Sequence, residues 1–365
     1  MRILGGKTVE TDKTDSQLIE LVNRQLSAIY DLNAFDLKKE NEFLYVSFVL
    51  PSSYVMQEEN GKIFKVLYQT LYPYYTVLNT PKADIVPVES NNLETARALR
   101  YRLLKGKPTQ LNIDNINDLI NGRLFKINNQ ISIDFNDITH CLITGQSGSG
   151  KSYTTLLLLN VLKFMNNNNN YNNELIIVDP KLSSLAKWSF ENQDVVSDLI
   201  IPNKDISNDN DMLSRVNDVL SDLCNEITIR QQKMLDNGAS TQQFKHKWLV
   251  IDELIGLQVS ADSKMVKAFH NYLSKLLVMG REVNIHVMLI SQSFDSKWSP
   301  VVAREQANLL IAMGQGNQLR FMFDNSEADD VVIPYLKGGG LLKIIDNKHP
   351  SQVLPVIFPN VKGGL

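Results

Sequence analysis

The sequence predicts an α/β protein: a mainly parallel sheet covered on both faces, joined to a small N-terminal α+β domain. Three observations carry this. Short apolar runs at 140–144, 175–179, 248–252, 285–290 and 309–313 alternate with helical patterns, and strands buried on both faces read as unbroken apolar runs. The first run enters a glycine-rich loop that opens a helix over 152–165, which makes one strand–loop–helix unit of the sheet explicit. Ahead of it, Leu18, Ile19, Leu21, Val22, Leu26 and Ile29 follow helical spacing over 16–30, and 43–50 reads as a strand. A further helix is expected over 93–104. The 365 residues exceed what one core usually organises. The expected division is 1–106 for the N-terminal domain, 107–136 for an Asn-, Asp- and Ile-rich connecting segment, and 137–365 for the main domain.

Composition excludes several classes. The hydrophobic fraction of 43% suits an ordinary globular core, and the formal charge of -3 gives no molecule-wide basic field, so any polyanion site must be local. Two cysteines, Cys141 and Cys224, are too few for a disulfide framework and read as reduced packing residues of a cytoplasmic protein. The longest aliphatic run, 156–162, is broken by Asn160 and followed by Lys163; it is far too short to span a bilayer. The asparagine-rich stretch 166–173 reads as a surface loop. The five histidines have no ligand spacing, and His286, inside an apolar run, reads as a packing residue.

The chemistry is concentrated in a few places. Gly145-Gln146-Ser147-Gly148-Ser149-Gly150-Lys151-Ser152 matches the loop whose backbone amides cradle phosphates, with Lys151 as the mobile charge and Ser152 as a Mg²⁺ ligand. Tyr153, next in sequence, completes the expected ATP-contacting set, and the helix that follows presents its positive end to the phosphates. Asp252 and Glu253 close the apolar run 248–251. Asp252 is placed to hold the Mg²⁺ hydration shell beside Ser152, and Glu253 to polarise the attacking water. The polar exit Ser291-Gln292-Ser293 offers Gln292 as a sensor of the γ-phosphate.

In order, these elements resemble the motor domain of the FtsK/SpoIIIE family within the FtsK–HerA superfamily. His140-Cys141-Leu142-Ile143-Thr144-Gly145 is similar to that family's lead-in strand, and Val178-Asp179-Pro180-Lys181 to its Asp-Pro-Lys element. Glu226 and Arg230 resemble its Glu-Met-Glu-Arg-Arg helix. The segment 280–286 with Ser291-Gln292 resembles its Ala-Arg-Ala-Ala-Gly-Ile-His and Ala-Thr-Gln segments, and 337–342 its Gly-x-Gly-Asp-Met-Leu turn. Two departures stand out: Ser293-Phe294-Asp295 replaces Arg-Pro-Ser, and the arginine of the family's next strand entry is absent at 307–312.

The resemblance implies a RecA-like P-loop ATPase core, a homo-hexameric ring with ATP between subunits, and double-stranded DNA in the pore. It points to plasmid or conjugative transfer, replication or segregation, with a relaxosome or replication partner. Arg281, Arg304 and Arg320 are the candidates for an arginine acting on a neighbour's nucleotide. For DNA, Lys233, Lys245, His246 and Lys247 flank a polar insertion at 236–241. The competing readings are a secretion ATPase of the same superfamily acting on protein, and a nucleotide-switched DNA-binding assembly protein.

Overall fold

The computed structural model describes residues 15–30, 35–48, 56–80, 82–89, 96–169, 173–206, 208–238, 240–316, 319, 321–323, 327–328, 331–363 and 365. The chain divides into two compact units, Met1–Pro108 and Thr109–Leu365.

The first unit holds α1 (Asp15–Ser27), β1 (Phe35–Glu40), β2 (Phe43–Phe48), α2 (Met56–Leu71), β3 (Tyr75–Val77), β4 (Ile85–Pro87) and β5 (Arg97–Lys105). The sheet is antiparallel in the order β1-β2-β5-β3, with β4 also paired to β5. Leu18, Val22 and Leu26, one helical face of α1, pack with Ile63, Phe64 and Leu67 of α2 against Leu44, Val46, Leu99, Tyr101 and Leu103. The helix expected over 93–104 is instead the strand β5, and 93–95 lie outside the described residues. In Arg97-Ala98-Leu99-Arg100-Tyr101-Arg102-Leu103 the buried Leu99, Tyr101 and Leu103 alternate with half-buried arginines. That period of two, set by pairing with β2, overrides the helical propensity of Leu and Arg.

The second unit begins inside the expected connecting segment. β6 (Asn112–Ile113), β7 (Ile120–Asn121), β8 (Leu124–Lys126) and β9 (Ser132–Asp134) precede the main sheet; β7, β8 and β9 form a small antiparallel sheet. The stretch is folded rather than a tether because it has apolar anchors: Phe125 and Phe135 are buried, and the Phe135 ring meets Trp248 edge-on at 6.1 Å.

The main sheet is built from β10 (His140–Gly145), β11 (Asn173–Val178), β12 (Val196–Ile200), β13 (His246–Ile251), β14 (Ile285–Ser291), β15 (Leu309–Met313), β16 (Gly339–Ile344) and β17 (Leu354–Ile357). Their order is β12-β11-β13-β14-β10-β15-β16-β17. The first six in that order are parallel, and β16 and β17 are antiparallel. A last short strand, β18 (Asn360–Val361), pairs with β6. The helices are α3 (Lys151–Asn169), α4 (Ser184–Glu191), α5 (Asp209–Asn237), α6 (Ser263–Met279) and α7 (Val301–Gln306). α5 starts at an Asn208 cap accepting from Asp211 N and stops at Gly238 in the left-handed conformation. The first half of the expected insertion at 236–241 is thereby drawn into helix and cap, and residue 239 lies outside the described set.

The asparagine stretch is a correction of the same kind. α3 continues through Asn169, and Asn173 opens β11 with its side chain donating to Leu162 O at 3.0 Å while its backbone exchanges hydrogen bonds with Asn166. Residues 170–172 lie outside the described residues. Among the described residues no helix is long and apolar enough to cross a membrane, and both cysteines are buried and free.

Three histidines, His140 and His286 buried and His246 half-buried, lie at the amino-terminal ends of these strands. His286 bonds His246 at 2.9 Å and Thr139 O at 2.9 Å, stacks on Trp248 at 4.5 Å, and is held neutral by burial. Burial also lowers His246 and takes His140 down to about 4. Below the ordinary histidine value near 6.5 the unfolded chain binds protons that these imidazoles refuse, so stability falls as pH drops through that range. His140 alone costs about 2 kcal/mol between pH 7 and 5. Asp252, raised to about 6 by burial, acts in the opposite sense between about 4 and 6, as one group against these three and His270, which burial also lowers. Urea melts followed by tryptophan fluorescence report this unit, because all three tryptophans, Trp188, Trp248 and Trp298, lie in it. The midpoint is expected to be lower at pH 5 than at pH 7; an equal or higher midpoint would contradict the assignment.

Candidate nucleotide site

β10, β11, β13 and β14 run parallel, so their carboxyl ends share one edge of the sheet, where ligands bind in open α/β folds. That edge gathers the sequence-predicted residues. Gly145 ends β10 with φ 153. A Cβ there would lie 2.4 Å from Ser149 Oγ and 2.6 Å from Met313 O, so the turn closes only on glycine. Gly148 and Gly150 also have positive φ, and the loop closes by Ser149 N donating to Gln146 O at 3.2 Å before Thr154 N to Gly150 O opens the helical ladder. Gln146, Ser147 and Gly148 are exposed along the loop. Lys151 donates to the carbonyls of Gly145 and, at 3.0 Å, Gln146. Burial lowers its ammonium, partly offset by Glu253 and Asp252. Ser152 is exposed beside it.

The acidic pair stands two strands away. β14 lies between β10 and β13, and its exit joins the two sides: Thr144 Oγ1 donates to Gln292 O at 3.1 Å, and Gln292 Nε2 donates to Glu253 Oε1 at 3.2 Å. Asp252 is pushed up to about 6 by burial and by the carboxylates of Asp179 and Glu253. A bound divalent cation would favour its ionised form. Glu253 has φ 51, a left-handed conformation uncommon for a side chain of this size and typical of functional turns.

The donor set fits a magnesium triphosphate. Among the described residues Ser149 Oγ is buried with no hydrogen-bond partner, inside a loop whose backbone is shaped for an anion. An exposed hydroxyl at Ser152 and a carboxylate at Asp252 are hard oxygen ligands. Mg²⁺ bound with phosphates needs only one or two such groups, and no cluster of three or more His, Cys, Asp or Glu side chains able to hold a metal occurs among the described residues.

Other expected residues fall elsewhere. The Tyr153 hydroxyl accepts from Val361 N at 2.8 Å and so ties α3 to β18. Arg281 is exposed at the amino end of β14, the edge opposite the phosphate loop. Arg304 is half-buried and donates to Phe321 O at 3.2 Å; Arg320 lies outside the described residues. Glu226 and Arg230 form a brace: Arg230 bonds Glu226 Oε1 at 2.6 and 2.9 Å and the carbonyls of Lys245 and Val283. Lys247, expected to face DNA, is paired with Glu226 at 2.9 Å and Glu174 at 3.3 Å, and His246 lies in the histidine stack. Only Lys233 and Lys245 of that group are exposed, and neither makes an ion pair among the described residues.

Sequence reasoning missed the role of the Asp179 turn. Asp179 accepts from Lys181 N, Ser183 N, Ser183 Oγ and Ala186 N at 2.7–3.1 Å, and Ser183 Oγ reaches Asp252 Oδ2 at 3.4 Å. The Asp-Pro-Lys element was the available signal, without anything to say what it touched.

A family model for the central domain of the helicase HerA matches residues 120–182. The DNA translocase FtsK of Treponema pallidum (strain Nichols) is 23% identical over 236 residues, 61% of this chain and 27% of that protein. The FtsK domain-containing protein YdcQ of Bacillus subtilis (strain 168) is 22% identical over 189 residues, 50% of this chain and 36% of that one. The chain thus spans about a third or less of the length of these curated relatives. Among solved structures, the pCW3 conjugation coupling protein TcpA, a monomer with ATPγS, superposes with a TM-score of 0.54 and 18% identity over 94% of both chains. An intervening strand between the phosphate-loop strand and the acidic-pair strand, with the glycine loop at their common edge, defines a RecA-like P-loop ATPase core. The HerA central-domain match and the FtsK relatives make this core similar to those of the FtsK–HerA superfamily ATPases.

Proposed function

We propose that this chain hydrolyses ATP and uses the cycle to move double-stranded DNA as a ring of identical subunits, in plasmid or conjugative transfer. The observation that carries the reading is the convergence of Lys151, Ser152, Asp252, Glu253 and Gln292 on one sheet edge, with Glu253 hydrogen-bonded to Gln292. The name of the superposed coupling protein supports the setting, and FtsK-type relatives support DNA as the substrate.

Lys151 and the loop amides bind and orient the β- and γ-phosphates. Ser152 and Asp252 would hold Mg²⁺, which supplies charge neutralisation of the phosphates. Glu253 orients the attacking water and accepts its proton, and Gln292, tied to Glu253 on one side and through its backbone to Thr144 on the other, senses the terminal phosphate. Arg281, exposed and without an ion pair among the described residues, is free to meet a neighbour's nucleotide; Arg304 is committed in part to Phe321.

The test is ATP turnover with and without duplex DNA, beside displacement of a triplex-forming strand from that duplex. Stimulated turnover with ATP-dependent displacement is expected; turnover indifferent to DNA refutes the reading. For the DNA-facing surface, Lys233→Glu with Lys245→Glu is expected to cut the DNA stimulation severalfold and leave the basal rate unchanged. The slope of log affinity against log salt should fall by about one for each lysine–phosphate pairing removed. Unchanged DNA stimulation would remove these two lysines from the DNA interface, and equal loss of both rates would mark a folding defect instead.

A further inference from the structure

The two strands flanking β13 each send one side chain to Glu253. From β14, Gln292 Nε2 donates to Oε1 at 3.2 Å; from the turn after β11, Lys181 Nζ lies 2.8 Å from Oε2. Each carboxylate oxygen therefore has its own partner from its own side. The Glu253 side chain is 12% exposed and that of Lys181 53%, so the lysine reaches in from the rim of the site. Its backbone is fixed at the base: Lys181 N donates to Asp179 Oδ1 at 3.1 Å, Leu182 follows with φ 52, and Ser183 closes the turn onto Asp179 and Asp252.

A surface ion pair adds little to stability, and here the charge balance of the site gives it another use. Asp179 and Glu253 each lie close enough to Asp252 to act on it electrostatically, while Lys151 is hydrogen-bonded to the carbonyls of its own loop. Repulsion from Asp252 favours rotamers that carry the Glu253 carboxylate outward, and a cation on Oε2 opposes this.

We propose that Lys181 is a positioning residue of this site, holding the Glu253 carboxylate in a single orientation between the exits of β11 and β14. The inference rests on the reading of Glu253 as the group that activates water. Lys181 acts through Glu253, so its loss slows the chemical step and spares nucleotide binding.

The experiment compares Lys181→Met, Lys181→Arg and Glu253→Gln in the full chain, measuring kcat, KM and the affinity for a fluorescent ATP analogue. Lys181→Met is expected to lower kcat about 10- to 100-fold, the usual cost of a misaimed catalytic group, with KM and affinity within about twofold. Lys181→Arg, which keeps the cation, should recover kcat to within about threefold. An unchanged kcat in Lys181→Met, or an arginine variant as slow as the methionine one, overturns the proposal. A loss of affinity in Lys181→Met overturns it too, since the lysine would then be a phosphate ligand. Glu253→Gln separates the two levels: if it stops turnover while Lys181→Met does not, only the positioning role fails, and if it leaves turnover intact, the water-activator reading fails and takes this inference with it.

Discussion

Glu253→Gln is expected to leave a protein that binds ATP normally and turns it over about 10²- to 10⁴-fold more slowly, the range that a general base contributes. The substitution keeps the side chain's volume and its approach to Gln292, and removes the one feature that matters for accepting a proton. The hydrogen bonds of the phosphate loop do not run through it: Ser149 N closes on Gln146 O and Lys151 on the carbonyls of Gly145 and Gln146, and Glu253 acts on Lys151 only as one of two nearby carboxylates that offset its burial. Single-turnover phosphate release beside fluorescent-nucleotide binding makes the check. Wild-type release from the variant would take Glu253 out of the chemistry, and lost binding would mean that its role is in holding the site together.

Lys151→Ala is expected to abolish measurable turnover and also weaken ATP binding. Removing one preorganised donor from a phosphoryl-transfer site costs on the order of 10²- to 10³-fold in rate. Here the ammonium also bridges the loop's own carbonyls, so the cradle loses a brace as well as a charge. Lys151→Arg is not expected to rescue, because a planar fork cannot replace a point charge in a cavity lined by backbone. Folding is expected to survive, since Lys151 is outside the core; equal urea midpoints for variant and wild type verify this. Retained ATP turnover in Lys151→Ala would undo the assignment of the loop.

The phosphate loop and acidic pair were legible because each is a contiguous run whose chemistry depends on its own neighbours: glycines where φ is positive, a hydroxyl after a lysine, carboxylates where an apolar run stops. The five apolar runs were legible because strands buried on both faces need no partner to be recognised. β5 was misread because an alternation of arginine with Leu99, Tyr101 and Leu103 also satisfies a loose helical spacing, and only pairing with β2 decides between the periods. Lys247 looked available to DNA because a sequence displays a charge without its partners, and Glu174 and Glu226 come from another strand and another helix.

The sequence alone determined an α/β chain with a phosphate-loop motif and an acidic pair at the end of an apolar run, and so the candidates for magnesium ligand and water activator, since those patterns depend on short-range backbone conformation and side-chain chemistry. Only the tertiary structure decided that β14 lies between β10 and β13, that Gln292 thereby meets Glu253, and that Lys181 reaches the same carboxylate from β11. Those meetings are set by strand order and register, which follow from how the whole apolar core packs, and no local stretch of chain contains that information.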